Sequence, residues 1–322
     1  MSRFTLDNHP NYTVREPKLL YIDRYGNIYP DCKTYKTPAI CHLTDKNAAD
    51  IVRKQAFGAN TSGGIFNMIT VEVSSTCQAS CLYCFQRDAH RNDKYAYYEE
   101  LLPFLEKLDA YWVFFSGGEI LIQEDAMNFM RKYRLLNPTG WIHLKTNGNA
   151  GEYAAAFVAE VCDSIMVSFN GFSATSYKTI MGLDIEKTKR FCHMVKNNAK
   201  TNLGIKLLNS PITIAETPDF LEWALALMPK CIAIQNAFNY EVEPSGKSTR
   251  LSCTLPSRGS SLYWDSIYDA IAARCNNVLN RWHNEINIEN NFLTADKDFL
   301  NLLRLPQENR DLFRTDGVYI IE

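Results

Sequence analysis

No uninterrupted apolar run in this 322-residue chain approaches the roughly 18 residues that cross a bilayer, so a helical membrane span is not expected. The first residues, Met1-Ser2-Arg3-Phe4-Thr5-Leu6-Asp7-Asn8-His9, lack an apolar signal core; the expectation is an uncleaved cytoplasmic protein. Charge of one sign is missing too. Lys and Arg number 34 against 36 Asp and Glu, a net charge of −2, which provides no field to gather nucleic acid or an anionic membrane. There is no internal repeat and no low-complexity tract. At 46% hydrophobic and 22% charged residues, collagen, coiled coil and disorder are set aside as the dominant state. The length suits two domains of about 150 residues or one α/β barrel.

What the chain does have is cysteine, ten residues of it. Length and the missing signal segment argue against a disulfide scaffold. In a reducing compartment scattered cysteines belong to the core and clustered ones to metals. Cys32, Cys41, Cys162, Cys192, Cys231, Cys253 and Cys275 are scattered. Three others are not.

Residues 1–65 are polar and turn-rich, with a hairpin pattern over Tyr21–Tyr29 and a linker-like AFGANTSGG over Ala56–Gly64. From 66 to 236 short apolar runs recur at Met68–Val73, Trp112–Phe115, Ile142–Leu144, Ile165–Phe169, Leu203–Leu208 and Ile232–Ile234. Segments of helical spacing separate them, such as Tyr98, Leu101, Leu102, Leu105 and Leu108. Strand and helix alternating in this way predict a parallel α/β sheet with helices outside. Six units suit an open doubly wound sheet or a partial barrel, and fall short of an eight-stranded barrel. Beyond 236 the rhythm stops: a polar stretch over Asn239–Arg258 reads as a loop. A stripe from Leu262 through Trp264, Ile267, Ile271, Cys275, Val278 and Trp282 to Ile286 marks a long amphipathic helix packed on the core, and a short strand is expected near 318–321.

The three clustered cysteines are Cys77, Cys81 and Cys84, spaced C-x3-C-x2-C directly after the first predicted strand of the regular region. The C-terminal edge of a parallel sheet is where ligands bind, and three thiolates on one loop can converge on a soft metal centre. Structural zinc requires a fourth ligand; the nearest later candidate is His90, and no second CxxC follows. A four-iron cluster on three cysteines keeps one iron open.

With Tyr83 before the last cysteine, the loop resembles the C-x3-C-x-aromatic-C hallmark of the radical S-adenosylmethionine (SAM) superfamily. The resemblance implies a 4Fe-4S cluster on Cys77, Cys81 and Cys84 whose open iron is chelated by SAM. It implies reductive cleavage of SAM to a 5′-deoxyadenosyl radical that abstracts hydrogen from substrate. The fold it implies is a partial (β/α)6 TIM-like barrel, here with an N-terminal extension (1–65), a core (66–236) and a C-terminal helical addition (237–322).

Further motifs align with the same family. Ser116-Gly117-Gly118-Glu119 ends the second strand and looks like the motif that holds the SAM amino group. Lys145-Thr146-Asn147-Gly148 is similar to a third-strand TNG, which implies that Thr146 and Asn147 face cofactor or substrate. Val167-Ser168-Phe169-Asn170-Gly171 resembles S-x-D-G, with Asn170 replacing the usual Asp and Ser168 expected on the SAM carboxylate or ribose. Leu183 stands where several members carry an Arg, so Lys178 or Lys206 is the expected cation. Cys253 and Cys275 are too few for a fully cysteine-ligated auxiliary cluster; Cys32 and Cys41 form either an N-terminal metal site or packing. Arg87, His90, Arg91 and Lys94 make a basic group at the mouth or on a solvated face, and Trp264 and Trp282 are core or cap.

The expected substrate is a peptide, as in maturation of ribosomal natural products, with a small metabolite as the alternative; an RNA base is disfavoured by the charge. Expected partners are an electron donor such as flavodoxin or ferredoxin and a peptide-recognition protein. A non-catalytic iron–sulfur or zinc module is the rival of another class.

Overall fold

A computed structural model describes residues 18–30, 38–58, 64–74, 76–82, 84, 95–198, 200–236, 255–283 and 292–314. Six strands carry the regular part: β4 (Phe66–Glu72), β5 (Ala110–Ser116), β6 (Trp141–Thr146), β7 (Ser164–Phe169), β8 (Asn202–Asn209) and β9 (Cys231–Asn236). Each coincides with the apolar run expected there, β4 ending one residue short of Val73, and every neighbouring pair is parallel. The helices between them are α2 (Tyr98–Lys107), α3 (Glu124–Leu136), α4 (Glu152–Val161), α5 (Ala174–Met181), α6 (Ile185–Asn197) and α7 (Thr217–Leu227). Preceding this unit are β1 (Leu19–Ile22), β2 (Asn27–Tyr29), β3 (Cys41–His42) and α1 (Ala48–Phe57); following it are α8 (Leu262–Trp282), β10 (Phe292–Ala295), α9 (Lys297–Leu303), α10 (Gln307–Arg310) and β11 (Phe313–Arg314).

The strands form one open sheet of 11, ordered β11-β10-β9-β8-β7-β6-β5-β4-β1-β2-β3. Its six-stranded centre is the expected partial barrel. The flanks extend it. The Tyr21–Tyr29 hairpin forms as expected, with Tyr21 opposite Tyr29, but β1 also pairs in parallel with β4, Leu19 beside Met68. At the other edge β10 joins β9 in parallel. Ala56 and Phe57 belong to α1 rather than to a linker. The long helix runs as expected to Trp282, burying Ile271, Cys275 and Val278, whereas Leu262 at its start is 89% exposed. The stretch 239–254, Ile286 and the tail strand near 318–321 lie outside the described residues.

Alternation on each strand separates two environments. Ile69, Val71, Phe115, Ile142, Leu144, Val167 and Ile205 pack outward against the helices in a continuous core. The opposite side chains fill the barrel interior. Near its N-terminal edge Trp141 Nε1 donates to Ser164 Oγ (2.8 Å) and His143 Nδ1 pairs with the same hydroxyl (2.7 Å). His143 stacks on Phe114 with ring centres 4.8 Å apart. Burial, then the charge of Lys145, pushes this imidazole well below its usual range, so it is neutral.

At that same edge Arg134 of α3 spans the turns entering β6 and β7. Its guanidinium donates to the carbonyls of Val161 (2.9 Å) and Gly140 (2.8 Å) and pairs with Asp163. The Asp163 carboxylate also accepts from Ile142 N (2.8 Å). One cation thereby fixes the N-terminal ends of two strands.

Candidate cofactor site

The opposite edge opens into a cavity. Cys77, Ala79, Cys81 and Cys84 line it from the loop after β4, Ser116 through Glu119 from the end of β5, and Lys145 through Asn147 from β6. Ser168 near the end of β7 and Asn170 just after it, with Met181 ending α5, complete the described wall.

The cysteine loop is held from three sides. Gly118 N donates to Ser74 O (2.5 Å) and Glu119 N to Thr76 O (2.8 Å), stitching it to the β5 turn. Gln123 Nε2 adds a bond to Thr76 O (3.1 Å). Ser80 N and Leu82 N donate to the carbonyls of Met181 and Ile180 (2.9 Å each) at the end of α5. On the β6 side, Gln78 Nε2 reaches Asn147 Oδ1 (3.3 Å). Gly117 is what the close approach demands: its φ is +128°, and a Cβ there would stand 2.4 Å from Ser74 O. That contact and that dihedral admit glycine alone.

Glu119 is 1% exposed. Its Oε1 accepts from Leu121 N (3.1 Å) and Thr146 Oγ1 (2.8 Å), and its Oε2 from Asn147 N (2.7 Å). Burial raises its pKa, and the three donors work in the opposite direction. The carboxylate thus ties the ends of β5 and β6 together while lining the cavity. An ammonium brought beside it would offset the cost of keeping the charge buried.

Among the described residues, no three His, Cys, Asp or Glu side chains are arranged to hold a single metal ion. The described wall contains three cysteines and Glu119, with no fourth cysteine and no histidine. Three soft thiols around an open cavity suit a group larger than one ion, with a coordination position left outside the protein. A closed tetrahedral zinc site needs a fourth donor, and the remaining candidate in the described wall, Glu119, already accepts three hydrogen bonds.

Of the residues expected from sequence, Ser116, Gly117, Gly118, Glu119, Thr146, Asn147, Ser168 and Asn170 share this cavity with the cysteines. Tyr83, His90 and the basic group Arg87, Arg91 and Lys94 lie outside the described residues, as do Cys32 and Cys253. Lys206 sits in register with Ser168 on the next strand, one strand farther from the cysteine loop and outside the described cavity wall. Lys178 is exposed, its Nζ on Gly182 O (3.2 Å). The cation in the wall is Lys145, whose Nζ lies 4.6 Å from the centre of the Phe114 ring. Alternation gave the signal for it: Lys145 shares the inward face of β6 with His143. Cys41 packs against the core, its Sγ 3.9 Å from Ala48 O, and burial pushes its thiol up to about 11. Cys162, Cys192, Cys231 and Cys275 are buried.

Comparisons with known proteins agree with this geometry. The chain is 26% identical over 149 residues to a probable GTP 3′,8-cyclase of Pyrococcus abyssi, covering 42% of this chain and 48% of that one. Its fold is similar to that of Streptococcus suis SuiB bound to S-adenosylmethionine (TM-score 0.55, 11% identity, 76% of this chain and 54% of that chain). It is also similar to anSMEcpe with bound AdoMet and a peptide (TM-score 0.50, 18% identity, 70% and 62%). The chain therefore spans about half the length of the curated relative and of SuiB. Residues 71–224 match the Radical SAM superfamily, and this stretch supplies the cysteine trio and the glycine-glycine-glutamate turn to one cavity.

Proposed function

We propose that this chain is a radical SAM enzyme in which Cys77, Cys81 and Cys84 hold a 4Fe-4S cluster and the surrounding wall binds SAM, and that its substrate is a peptide. The observation that carries the reading is the shared cavity: the three thiols, the Gly117–Glu119 turn and the Thr146–Asn147 turn face one space. When bound, cluster and SAM supply one-electron cleavage of the sulfonium to a 5′-deoxyadenosyl radical.

The chain's own residues bind and orient. Glu119 offers its buried carboxylate to the SAM ammonium. Lys145 offers a cation to the SAM carboxylate from the described wall, and Lys206 on β8 is the alternative cation. Gly117 and Gly118 let the ligand approach the backbone of the β5 turn, while Ser116, Ser168 and Asn170 supply neutral polar groups. Phe114, His143 and Trp141 close the interior toward the N-terminal edge, keeping water from reactive intermediates. The core is residues 66–236; segments 1–65 and 237–322 flank it and help enclose the substrate. The electron comes from an external donor such as flavodoxin or ferredoxin.

A peptide substrate is supported by the similarity in fold to SuiB, also crystallised with its precursor peptide SuiA, and to anSMEcpe with a peptide. The probable GTP 3′,8-cyclase relative supports a small metabolite instead. Anaerobic reconstitution tests the chemistry. The protein should take up about four irons and, once reduced, release 5′-deoxyadenosine from SAM; tight zinc with no iron chromophore would overturn the reading. Glu119→Ala should retain the iron and weaken SAM binding by about tenfold or more, about 1.4 kcal/mol. Co-expression with short reading frames adjoining its gene, read by mass spectrometry, tests the substrate. A peptide mass change is expected, and turnover stimulated by GTP alone would favour the metabolite.

A further inference from the structure

The Asn147 side chain is oriented from all sides. Asn149 N donates to its Oδ1 (2.9 Å), which settles which end of the amide is oxygen. Gln78 pairs with it amide to amide, Nε2 on Oδ1 (3.3 Å) and Asn147 Nδ2 on Gln78 Oε1 (3.4 Å). The backbone is equally fixed: the peptide N–H bonds Glu119, and the carbonyl accepts from Tyr177 Oη (3.4 Å) and Thr188 Oγ1 (3.3 Å). With Oδ1 committed, the NH2 group is left facing the cysteine loop, and Nδ2 stands 3.8 Å from Cys77 Sγ, within the longer reach of a hydrogen bond to sulfur. Ala79 N donates to the same sulfur (3.4 Å). The residue is only 8% exposed.

We infer that Asn147 is a positioning and tuning residue for the iron–sulfur centre: its amide donates to the Cys77 thiolate and raises the reduction potential of the cluster. This rests on the ligand assignment proposed above. The physics is general. Reduction adds negative charge to the cluster, a donor aimed at a ligating sulfur stabilises that charge, and hydrogen bonds to the sulfurs are among the quantities that set the potential. A contact spanning 70 residues of sequence makes the third-strand turn part of the cluster's surroundings as well as of the cavity wall.

The test is an EPR-monitored redox titration of the full chain, reconstituted anaerobically and free of SAM, for wild type, Asn147→Ala and Asn147→Asp. Asn147→Asp keeps the acceptor for Asn149 N, replaces the NH2 donor by an oxygen and adds a negative charge. Both variants should load iron as wild type does and be harder to reduce. At the wild-type midpoint, the ratio of reduced to oxidised cluster should fall about threefold to tenfold, tenfold being about 59 mV for one electron. The aspartate should show the larger change because it adds a negative charge. Either variant with full iron and the wild-type midpoint overturns the inference. A wild-type chain that takes up no iron overturns the ligand assignment instead, so the two failures are distinguishable.

Discussion

The two edges of the parallel sheet are held together by opposite means. At the N-terminal edge a cation, Arg134, gathers backbone carbonyls from the turns entering β6 and β7 and pairs with Asp163. At the C-terminal edge an anion, Glu119, gathers N–H and O–H donors from the turns leaving β5 and β6. Strand polarity favours this arrangement, because helices end at the first edge with unpaired carbonyls, Val161 closing α4, and begin at the second with unpaired N–H groups. The consequences differ. The Arg134 clamp is far from the cavity and does structural work alone. The Glu119 clamp lines the cavity, so the group that ties the turns together also faces whatever binds there.

Breaking the structural edge should have the larger effect on stability. Arg134→Ala removes the guanidinium from several carbonyls and leaves Asp163 without its partner, which should cost about 2–4 kcal/mol in denaturant unfolding. Iron uptake per folded molecule should not change. If iron binding fell in step with stability at temperatures where the variant is folded, the two edges would not be independent. Gly117→Ala attacks the other edge. A Cβ 2.4 Å from Ser74 O, at a φ of +128°, forces the β5 turn away from the cysteine loop. The expected cost is about 1–3 kcal/mol, with SAM affinity falling by more than that of Arg134→Ala at matched stability. Calorimetric titration with SAM on reconstituted protein checks it, and equal affinities in the two variants would erase the distinction between the edges.

Much of this division is legible in the sequence. The six apolar runs locate the six central strands because local periodicity records which faces are buried. Cys77, Gly117, Asn147 and Asn170 follow consecutive strands at the same edge, which is why motif position alone brings them together. Pairing of β1 with β4 is not legible, since sheet order depends on contacts far apart in sequence. Neither is the placing of Lys145 in the described cavity wall: Lys145 and Lys206 both lie inward on their strands, and the position of each strand around the sheet sets its distance from the cysteine loop. Arg134 reads as an ordinary helix-surface charge because its acceptors are backbone carbonyls, which carry no residue signature. The amide pair of Gln78 and Asn147 is equally silent, being one of many polar pairs that the loops could form.

The smallest expected effect concerns the charge of Glu119. Burial raises its pKa above the ordinary 4.5, so the folded protein binds this proton more tightly than the unfolded chain does. The associated stability is complete below about pH 4.5 and is lost as the pH rises through the elevated folded value. Glu119→Gln stays neutral throughout but places an NH2 against Asn147 N, so it begins with a bond missing. The variant should therefore be less stable than wild type at low pH and recover relative to it as the pH rises. Thermal melts of both proteins across pH 4.5 to about 7.5 measure the difference. A difference independent of pH would mean that the three donors from Leu121, Thr146 and Asn147 already compensate the charge completely. The carboxylate would then gain no stability from an arriving ammonium, and the C-terminal edge would be as purely structural as the edge held by Arg134.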